Sequence, residues 1–221
     1  MWRKLTILAI GILAGPLLAI YAFVFFEPVQ VLPKIGPAPG FQLTDQDGAS
    51  FGSEGLRGSL TIYTFAHSRC TGVCAEALQR QRAVQAQIAT AEIGLPVRLV
   101  TISIDTMHDT PERLRVWAAE LSADTTTWSF LTGEAQSVRR LVSVGYGAFY
   151  TLKNDGTWDL DTRVAVVDGW GMIRAVYGTQ DYLPSTERLV SDLQLIAAEA
   201  LAADGPGRMA YEAAQLFGCY P

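Results

Sequence analysis

One short stretch organises the chain: Thr64-Phe65-Ala66-His67-Ser68-Arg69-Cys70-Thr71-Gly72-Val73-Cys74. The run Leu60–Phe65 leads into it and is rich in β-branched and aromatic residues, which predicts a β-strand. The run Ala75–Ala91 follows it and is dense in Ala, Gln, Arg and Leu, which predicts an α-helix. The two cysteines are therefore expected where a strand ends and a helix begins.

The spacing of Cys70 and Cys74 bears on their chemistry. If Cys70 starts the helix, Cys74 lies one turn later and both sulfur atoms fall on the same face. The spacing is also compatible with the Cα separation of a disulfide, about 4.4 to 6.8 Å. The free N–H groups of a first helical turn and the cation of Arg69 would stabilise a thiolate. We predict a reactive or metal-binding dithiol, with a structural disulfide or two inert buried thiols as alternatives.

Charge and cysteine content limit the classes of partner. The 221 residues have a net charge of −5, and the 17 Lys and Arg residues are scattered. We therefore expect no nucleic-acid partner. Three cysteines are too few for a disulfide-scaffold protein of this length, so the Cys70–Cys74 pair needs a local explanation.

The N-terminal residues predict a membrane anchor. The apolar run Leu5–Phe26 contains no charged residue and follows Arg3 and Lys4. About 20 such residues span a bilayer, and a positive flank stays in the cytoplasm. We expect a single-pass helix in the inner (cytoplasmic) membrane and a domain facing the oxidising periplasm, where disulfides form. A cleaved signal peptide is the alternative, but its apolar core is usually shorter and ends in an A-x-A-like site.

Four segments are predicted: an N-terminal transmembrane anchor (1–27), a Pro-rich tether (28–40), a folded domain (41–203) and a C-terminal tail (204–221). Within the domain, strands are predicted at Phe41–Thr44, Ala49–Phe51, Leu60–Phe65, Val97–Asp105, Trp128–Thr132, Arg163–Asp168 and Met172–Tyr177. Helices are predicted at Ala75–Ala91, after Thr110, at Glu134–Val144 and at Ser185–Ala203, whereas Gly145–Asp161 is expected to be irregular. This order predicts an α/β fold, a mixed β-sheet flanked by helices. A reactive cysteine pair after a central strand suits a thioredoxin-like fold.

Two linked motifs resemble the Sco/SenC family of membrane-anchored assembly factors for cytochrome c oxidase. The first is Phe65–Cys74 with its C-x-x-x-C pattern. The second is Ser103–Glu112, which is similar to the family segment S-x-D-P-x-R-D-T-P-E and lies at the expected distance along the chain. Phe130–Gly133 matches a third, weaker element. The resemblance covers roughly Ile35–Leu201.

The resemblance implies a thioredoxin fold and a copper site. In the family, two cysteines and a distant histidine bind copper, and the protein passes the metal to an oxidase subunit or reduces that subunit's cysteines. Cys70 and Cys74 match the family cysteines. The expected function is assistance to copper-centre assembly by Cu(I) binding and transfer. The expected partner is a cytochrome c oxidase subunit or another respiratory complex.

The distant histidine of the family is missing from this chain. Alignment on Gly171 places Leu160 at that position, and the two histidines of the chain are His67 and His108. Other departures from the family pattern occur at Thr71, Ala75, Thr106 and His108. These departures indicate a divergent branch in which the copper site has been altered or lost.

Ligand chemistry limits what this site can hold. Cu(I) is soft and accepts two thiolates, so Cys70 and Cys74 alone could bind it, whereas Cu(II) prefers nitrogen and oxygen donors. One hypothesis makes His67 the third ligand; the alternative, which we favour from sequence, is a solvent-facing or hydrogen-bonded loop histidine. Asp159 or Asp161 could approach the site instead, but carboxylates are poor ligands of Cu(I), so we expect both in turns or caps. His108 is expected near the cap of the following helix, and Cys219 is expected as a buried or free thiol.

Two other functions stay open. A metal-independent thiol-disulfide oxidoreductase would use Cys70 as the attacking thiolate and Cys74 to resolve the mixed disulfide. The missing histidine favours this function, while the three-residue spacer favours copper delivery. A structural subunit of a respiratory membrane complex would use the aromatic tail, Tyr211, Phe217 and Tyr220, as a contact surface. Copper delivery and thiol reduction need no turnover in the usual sense, so the sequence leaves open whether the protein is an enzyme.

Overall fold

The computed structural model describes residues 14, 15, 18, 21, 22, 29–178, 183–203, 205, 207–217 and 220. Most of the predicted anchor lies outside these residues, and so does Cys219. The described residues of the apolar run, 14, 15, 18, 21 and 22, are helical. Within the described part of the chain, no helix is both long and apolar enough to cross a membrane. The chain divides into two compact units, residues 34–198 and residues 1–33 together with 199–221.

A mixed sheet forms the centre of the unit 34–198. The strands are β1 Gly36–Pro37, β2 Gln42–Asp45, β3 Ser50–Gly52, β4 Leu60–Ala66, β5 Val97–Ser103, β6 Trp128–Thr132, β7 Tyr150–Leu152, β8 Trp158–Leu160, β9 Arg163–Val167 and β10 Met172–Gly178. Eight of them pair in the order β1-β10-β9-β4-β5-β6-β2-β3, and β7 and β8 form a separate hairpin. The neighbours β4, β5 and β6 run parallel, and the other pairs are antiparallel. The predicted mixed sheet is thus confirmed.

Helices connect the parallel strands. The helices are α1 Val73–Ile88, α2 Pro111–Glu120, α3 Ala135–Arg139, α4 Thr186–Ala202 and α5 Arg208–Phe217, with a 3₁₀ turn at Ser53–Leu56 and a π-helical turn at Arg140–Gly145. Helix α1 follows β4 and α2 follows β5, as strand–helix–strand crossovers require. The Thr110 side chain accepts a hydrogen bond from the Arg113 amide and so caps α2, as the Thr110-Pro111 signal predicts.

The central strands are buried because helices and loops cover the sheet. All seven residues of β4 are buried. The core includes Phe65, Ile102 and Leu131, one from each parallel strand, and each is fully buried. This burial on both faces explains why β4 and β5 appear in the sequence as nearly continuous apolar runs. It also fixes the positions at which these strands end, and therefore the positions of the loops that follow.

Two segments differ from the sequence prediction. Residues 145–161, expected to be irregular, contain the β7–β8 hairpin, which turns through Asn154-Asp155-Gly156 with Gly156 at φ 80°. The C-terminal tail contains α5. The hairpin escapes prediction because each strand has only three residues, too few to show alternation. Its stability comes partly from packing between Tyr150 and Trp158, whose ring centroids are 5.7 Å apart.

Candidate metal-binding and redox site

The two sequence motifs meet at one edge of the sheet. Strands β4 and β5 are parallel neighbours, and their last residues, Ala66 and Ser103, are register partners. The loops that leave the two strands therefore start side by side, at the carboxyl edge where α/β sheets usually place their functional residues. One loop contains His67 and Cys70, and the other contains Asp105 and Asp109.

Glycine determines where the helix after the cysteine loop begins. Helix α1 starts at Val73, so Cys70 lies in the loop and Cys74 in the first helical turn. The arrangement considered from sequence, in which Cys70 itself starts the helix, is therefore not the one that forms. The reason is Gly72, whose φ of 59° and ψ of −136° lie outside the helical region and are accessible mainly to glycine.

Cys70 and Cys74 form a disulfide, with their Cα atoms 5.6 Å apart. Cys74 is buried at 7% exposure, whereas Cys70 is partly exposed. The backbone N–H of His67 donates a hydrogen bond to Sγ of Cys70 at 3.4 Å, and the N–H of Cys70 donates to the carbonyl of His67 at 3.0 Å. An N–H directed at sulfur stabilises negative charge, so reduction leaves Cys70 with support for a thiolate.

His67 lies against the cysteine pair. One ligand atom from each of His67, Cys70 and Cys74 can be chosen so that all three lie within 4.8 Å of one another. His67 is only 9% exposed, and its Nδ1 is buried without a hydrogen-bond partner among the described residues. His67 is thus not solvent-facing, which removes one of the two forms of loop histidine favoured from sequence and leaves the hydrogen-bonded form as the alternative to a metal ligand. A buried ring nitrogen without a partner is costly unless a ligand or a proton donor occupies it.

Burial sets the charge state of His67. Desolvation lowers the pKa of His67 below its ordinary value of 6.5, and this effect exceeds the opposite effect of the nearby carboxylates of Asp109 and Asp105. The imidazole is therefore neutral at neutral pH, and the neutral form is the one that coordinates metals.

Asp109 of the second motif holds the cysteine loop in place. Its carboxylate is fully buried and accepts hydrogen bonds from the Ser68 amide at 2.9 Å and the Ser68 hydroxyl at 2.6 Å. The Ser103 hydroxyl donates to the same carboxylate. Such charge-assisted bonds are strong, so the residue after His67 is fixed relative to β5. The sequence motif identifies this segment, but the role of Asp109 depends on contacts that the motif does not report.

Asp105 provides a second connection between the two loops. Its buried carboxylate pairs with the half-exposed guanidinium of Arg69 at 2.5 Å. From the sequence, we expect Arg69 to stabilise a cysteine thiolate. In the structure, its guanidinium instead forms an ion pair with Asp105. The backbone N–H of Asp105 also donates a hydrogen bond to the Ser103 hydroxyl at 3.1 Å. The two motifs are thus joined at Ser68 and at Arg69.

A cleft of about 370 Å³ adjoins Cys74. The cysteine loop and the start of α1 form one wall, and the β7–β8 hairpin with Thr162 forms the other. Leu160, which the alignment on Gly171 puts at the position of the family histidine, lines this cleft. The hairpin that sequence analysis missed therefore brings that position to the site, where it presents an apolar side chain.

The remaining candidates lie outside the group of three. Asp159 pairs with Lys153 at 3.8 Å, and Asp161 pairs with Arg163 at 2.8 Å. His108 is exposed in the turn before α2. Among the described residues, His67, Cys70 and Cys74 form the one group of three or more His, Cys, Asp or Glu side chains with metal-ligand spacing.

The SCO1/SenC family model matches residues 34–198. The chain belongs to the SCO1/SenC family. This match ends within α4, so the last four residues of that helix and all of α5 lie beyond it. The resemblance of the two motifs is confirmed.

Individual relatives agree with the family assignment. The chain is 29% identical to a SCO1 protein homolog from Bacillus subtilis (strain 168) over 97 residues, 44% of this chain and 49% of that protein. It spans about half the length of the curated relatives it matches.

Solved structures of the family share the fold. Arabidopsis thaliana ScoI with copper bound has a TM-score of 0.62 at 22% identity, over 71% of this chain and 95% of that one. BsSco, described as a member of the Sco family of cytochrome c oxidase assembly proteins with a disulfide switch, has a TM-score of 0.66 at 19% identity, over 76% and 98%. The thioredoxin-like fold is thereby confirmed.

Proposed function

We propose that this SCO1/SenC member binds Cu(I) through Cys70, Cys74 and His67 and delivers it to the copper centre of a cytochrome c oxidase subunit. The observation that best supports the proposal is the grouping of the three ligand atoms within 4.8 Å. Copper is the cargo of this reaction, and the protein is its temporary ligand. The copper-bound structure of Arabidopsis thaliana ScoI, which has the same fold, supports the choice of metal.

The donor set suits Cu(I). Two thiolates are soft ligands, and imidazole also binds copper. The buried Nδ1 of His67 lacks a partner among the described residues, so a metal ion would satisfy it. A dithiol reductant must first supply two electrons and two protons to the disulfide, and both thiols must then lose those protons before they coordinate. Asp109 and Asp105 meanwhile hold the loop, so little rearrangement is needed.

Cys70 is the expected site of exchange with the partner. It is partly exposed, whereas Cys74 and His67 are buried. An incoming thiolate of the oxidase subunit can approach the metal beside Cys70, form a bond to Cu(I) and displace the Cys70 sulfur. The copper stays in the +1 state, so this step needs no electron donor.

We place this chemistry at the outer face of the inner membrane. The uncharged run Leu5–Phe26 and the preceding Arg3 and Lys4 support a single-pass anchor with the domain in the periplasm. The description of BsSco as a member of a family of cytochrome c oxidase assembly proteins supports the choice of target.

A second candidate is thiol-disulfide exchange without metal. It is favoured by the disulfide between Cys70 and Cys74 and by the disulfide switch described for BsSco. The Cys70 thiolate would attack a disulfide of the partner, release one partner thiolate and form a mixed disulfide. Cys74 would then attack Cys70, release the second partner thiolate and leave the disulfide seen here. Two electrons pass from this protein to the partner.

The deciding experiment is an anaerobic Cu(I) titration of the reduced full-length protein in detergent against a competing chelator. The matched control is the double variant Cys70→Ser/Cys74→Ser. We expect one copper per chain in the wild type and none above background in the variant. Equal binding by both proteins would overturn the copper proposal and leave thiol-disulfide exchange as the function to test.

A further inference from the structure

The C-terminal helix α5 is not explained by the family domain, because the family match ends at residue 198. It belongs to the second compact unit, residues 1–33 and 199–221. One face of α5 is packed: Tyr211 and Ala214 contact Val29 and Val31, and both Ala214 and Val31 are fully buried. The side chain of Gln215 also donates a hydrogen bond to the carbonyl of Leu32 at 2.8 Å. The helix is therefore fixed on residues 29–32.

A second face of α5 is polar and nearly neutral. Arg208 and Glu212 follow the helical spacing i and i+4, so they share one side. Arg208 and Glu212 form an ion pair at 2.7 Å, in which both side chains are more than half exposed. This face suits water and has no excess of cations.

The third face is apolar and exposed. Met209, Ala213, Leu216 and Phe217 follow the spacing i, i+4, i+7 and i+8 that marks one side of a helix. Met209 and Leu216 are each 79% exposed, and Phe217 is 39% exposed. Single exposed apolar residues are common on protein surfaces. A stripe of them along one helix face instead indicates a surface that contacts another protein or a membrane.

The position of α5 along the chain indicates what covers this stripe. The helix packs on Val29 and Val31, and the uncharged apolar run Leu5–Phe26 ends only three residues before Val29. Three residues span at most about 10 Å. If the run spans a bilayer, α5 lies within reach of the same membrane surface. The apolar stripe, the polar face and the adjacent anchor are the features of an interfacial helix.

We propose that α5 lies in the surface of the lipid bilayer, with Met209 and Leu216 among the acyl chains. The proposal rests on the membrane anchoring proposed above. Because the polar face has one cation and one anion, attachment depends on apolar burial and is insensitive to anionic lipid. A second membrane contact beside the anchor restricts tilting, so α5 would limit the angle between the bilayer plane and the unit to which it belongs.

The test measures peroxide oxidation of methionine in the full-length protein reconstituted in phosphatidylcholine vesicles, with mass spectrometry of the peptides. Met107, at 90% exposure in the unit 34–198, is the internal control for Met209 at 79%. We expect Met209 to oxidise roughly tenfold more slowly than Met107, because peroxide acts on exposed thioethers. Similar rates would overturn the proposal.

Photo-crosslinking with a lipid that bears a photoreactive group in its acyl chain tests whether lipid covers the stripe. We expect this lipid to label the peptide that contains α5. Slow oxidation of Met209 without lipid labelling would mean that protein, such as a second copy of the chain, covers the stripe, and the proposal would be wrong. The variant Leu216→Asp should bring the Met209 rate close to that of Met107, whereas Glu212→Gln on the polar face should leave it unchanged.

Alkaline carbonate extraction separates this proposal from the anchoring on which it rests. If carbonate releases the protein from the vesicles, the anchor proposal fails and the α5 proposal fails with it. If the protein stays with the lipid but Met209 reacts as fast as Met107, only the α5 proposal fails.

Discussion

At the scale of single residues, His67 distinguishes two forms of the site, a two-thiolate site and a three-ligand site. Its ring lies with the two sulfur atoms, and its Nδ1 is buried without a partner among the described residues. If the imidazole binds copper, His67→Ala should weaken Cu(I) binding tenfold or more, about 1.4 kcal/mol. The measurement is the anaerobic titration against a chelator.

The other histidine of the chain provides the control for this prediction. His108 is exposed and lies outside the ligand group, so His108→Ala should leave the Cu(I) affinity unchanged. Equal affinities for wild type and His67→Ala would show that the two thiolates bind copper alone. Equal losses in both variants would instead indicate a general disturbance of the two loops.

Asp109 is the residue on which the geometry of the loop most depends. It is fully buried and accepts hydrogen bonds from Ser68 and Ser103. Asp109→Asn replaces one acceptor oxygen by a donor, and we expect a loss of about 2 to 3 kcal/mol in the free energy of unfolding. Chemical denaturation of the oxidised protein measures this loss.

The same substitution in an exposed turn is the control for Asp109. Asp155 accepts hydrogen bonds from the Thr157 amide and hydroxyl at the surface. Asp155→Asn should change stability by about 0.5 kcal/mol or less, as is usual for surface sites. A comparable effect of the two substitutions would contradict the positioning role of Asp109.

At the scale of secondary-structure elements, the β7–β8 hairpin determines which donors reach the cleft. Leu160 lies on its cleft wall, and the alignment on Gly171 puts it at the position of the family histidine. Leu160→His should supply a nitrogen donor near the two thiolates. We therefore expect the variant to bind Cu(II) more strongly than the wild type does. The measurement is the sulfur-to-Cu(II) charge-transfer absorption on addition of Cu(II) to reduced protein.

The hairpin also offers a matched control. Leu152 lies on β7, is 53% exposed and does not line the cleft. Leu152→His introduces the same side chain outside the site and should give the wild-type spectrum. If Leu160→His also gives the wild-type spectrum, the hairpin does not bring this position within bonding distance of copper.

Elements with strong local signals were predictable from sequence, and the hairpin was not. Strand β6 has the predicted bounds Trp128–Thr132, and α2 begins after the predicted cap at Thr110. Both depend on local composition and spacing. The environment of His67 depends instead on contacts between two loops 41 residues apart in sequence, such as Ser68 with Asp109. No local pattern reports such a contact, so the burial of His67 was missed although the residue was considered.

At the scale of the whole molecule, the cysteine pair has an inner and an outer sulfur, which gives the two cysteines different roles toward a partner. Cys74 is buried in the first turn of α1, and Cys70 is partly exposed in the loop before it. A partner protein can therefore reach Cys70 but not Cys74. This asymmetry is independent of whether the protein delivers copper or electrons.

Variants of the two cysteines should consequently trap different amounts of partner. In Cys74→Ser, the Cys70 thiolate can attack a partner disulfide, but no second thiol remains to release the mixed disulfide, so the covalent complex accumulates. In Cys70→Ser, the remaining sulfur is buried, and we expect no complex. Membranes are quenched with acid and alkylated, and the adduct is identified by mass spectrometry of non-reduced protein. If Cys70→Ser gives the same yield of complex, Cys74 is the attacking thiol. If the complex forms only through Cys70 but contains no oxidase subunit, the proposed target is wrong.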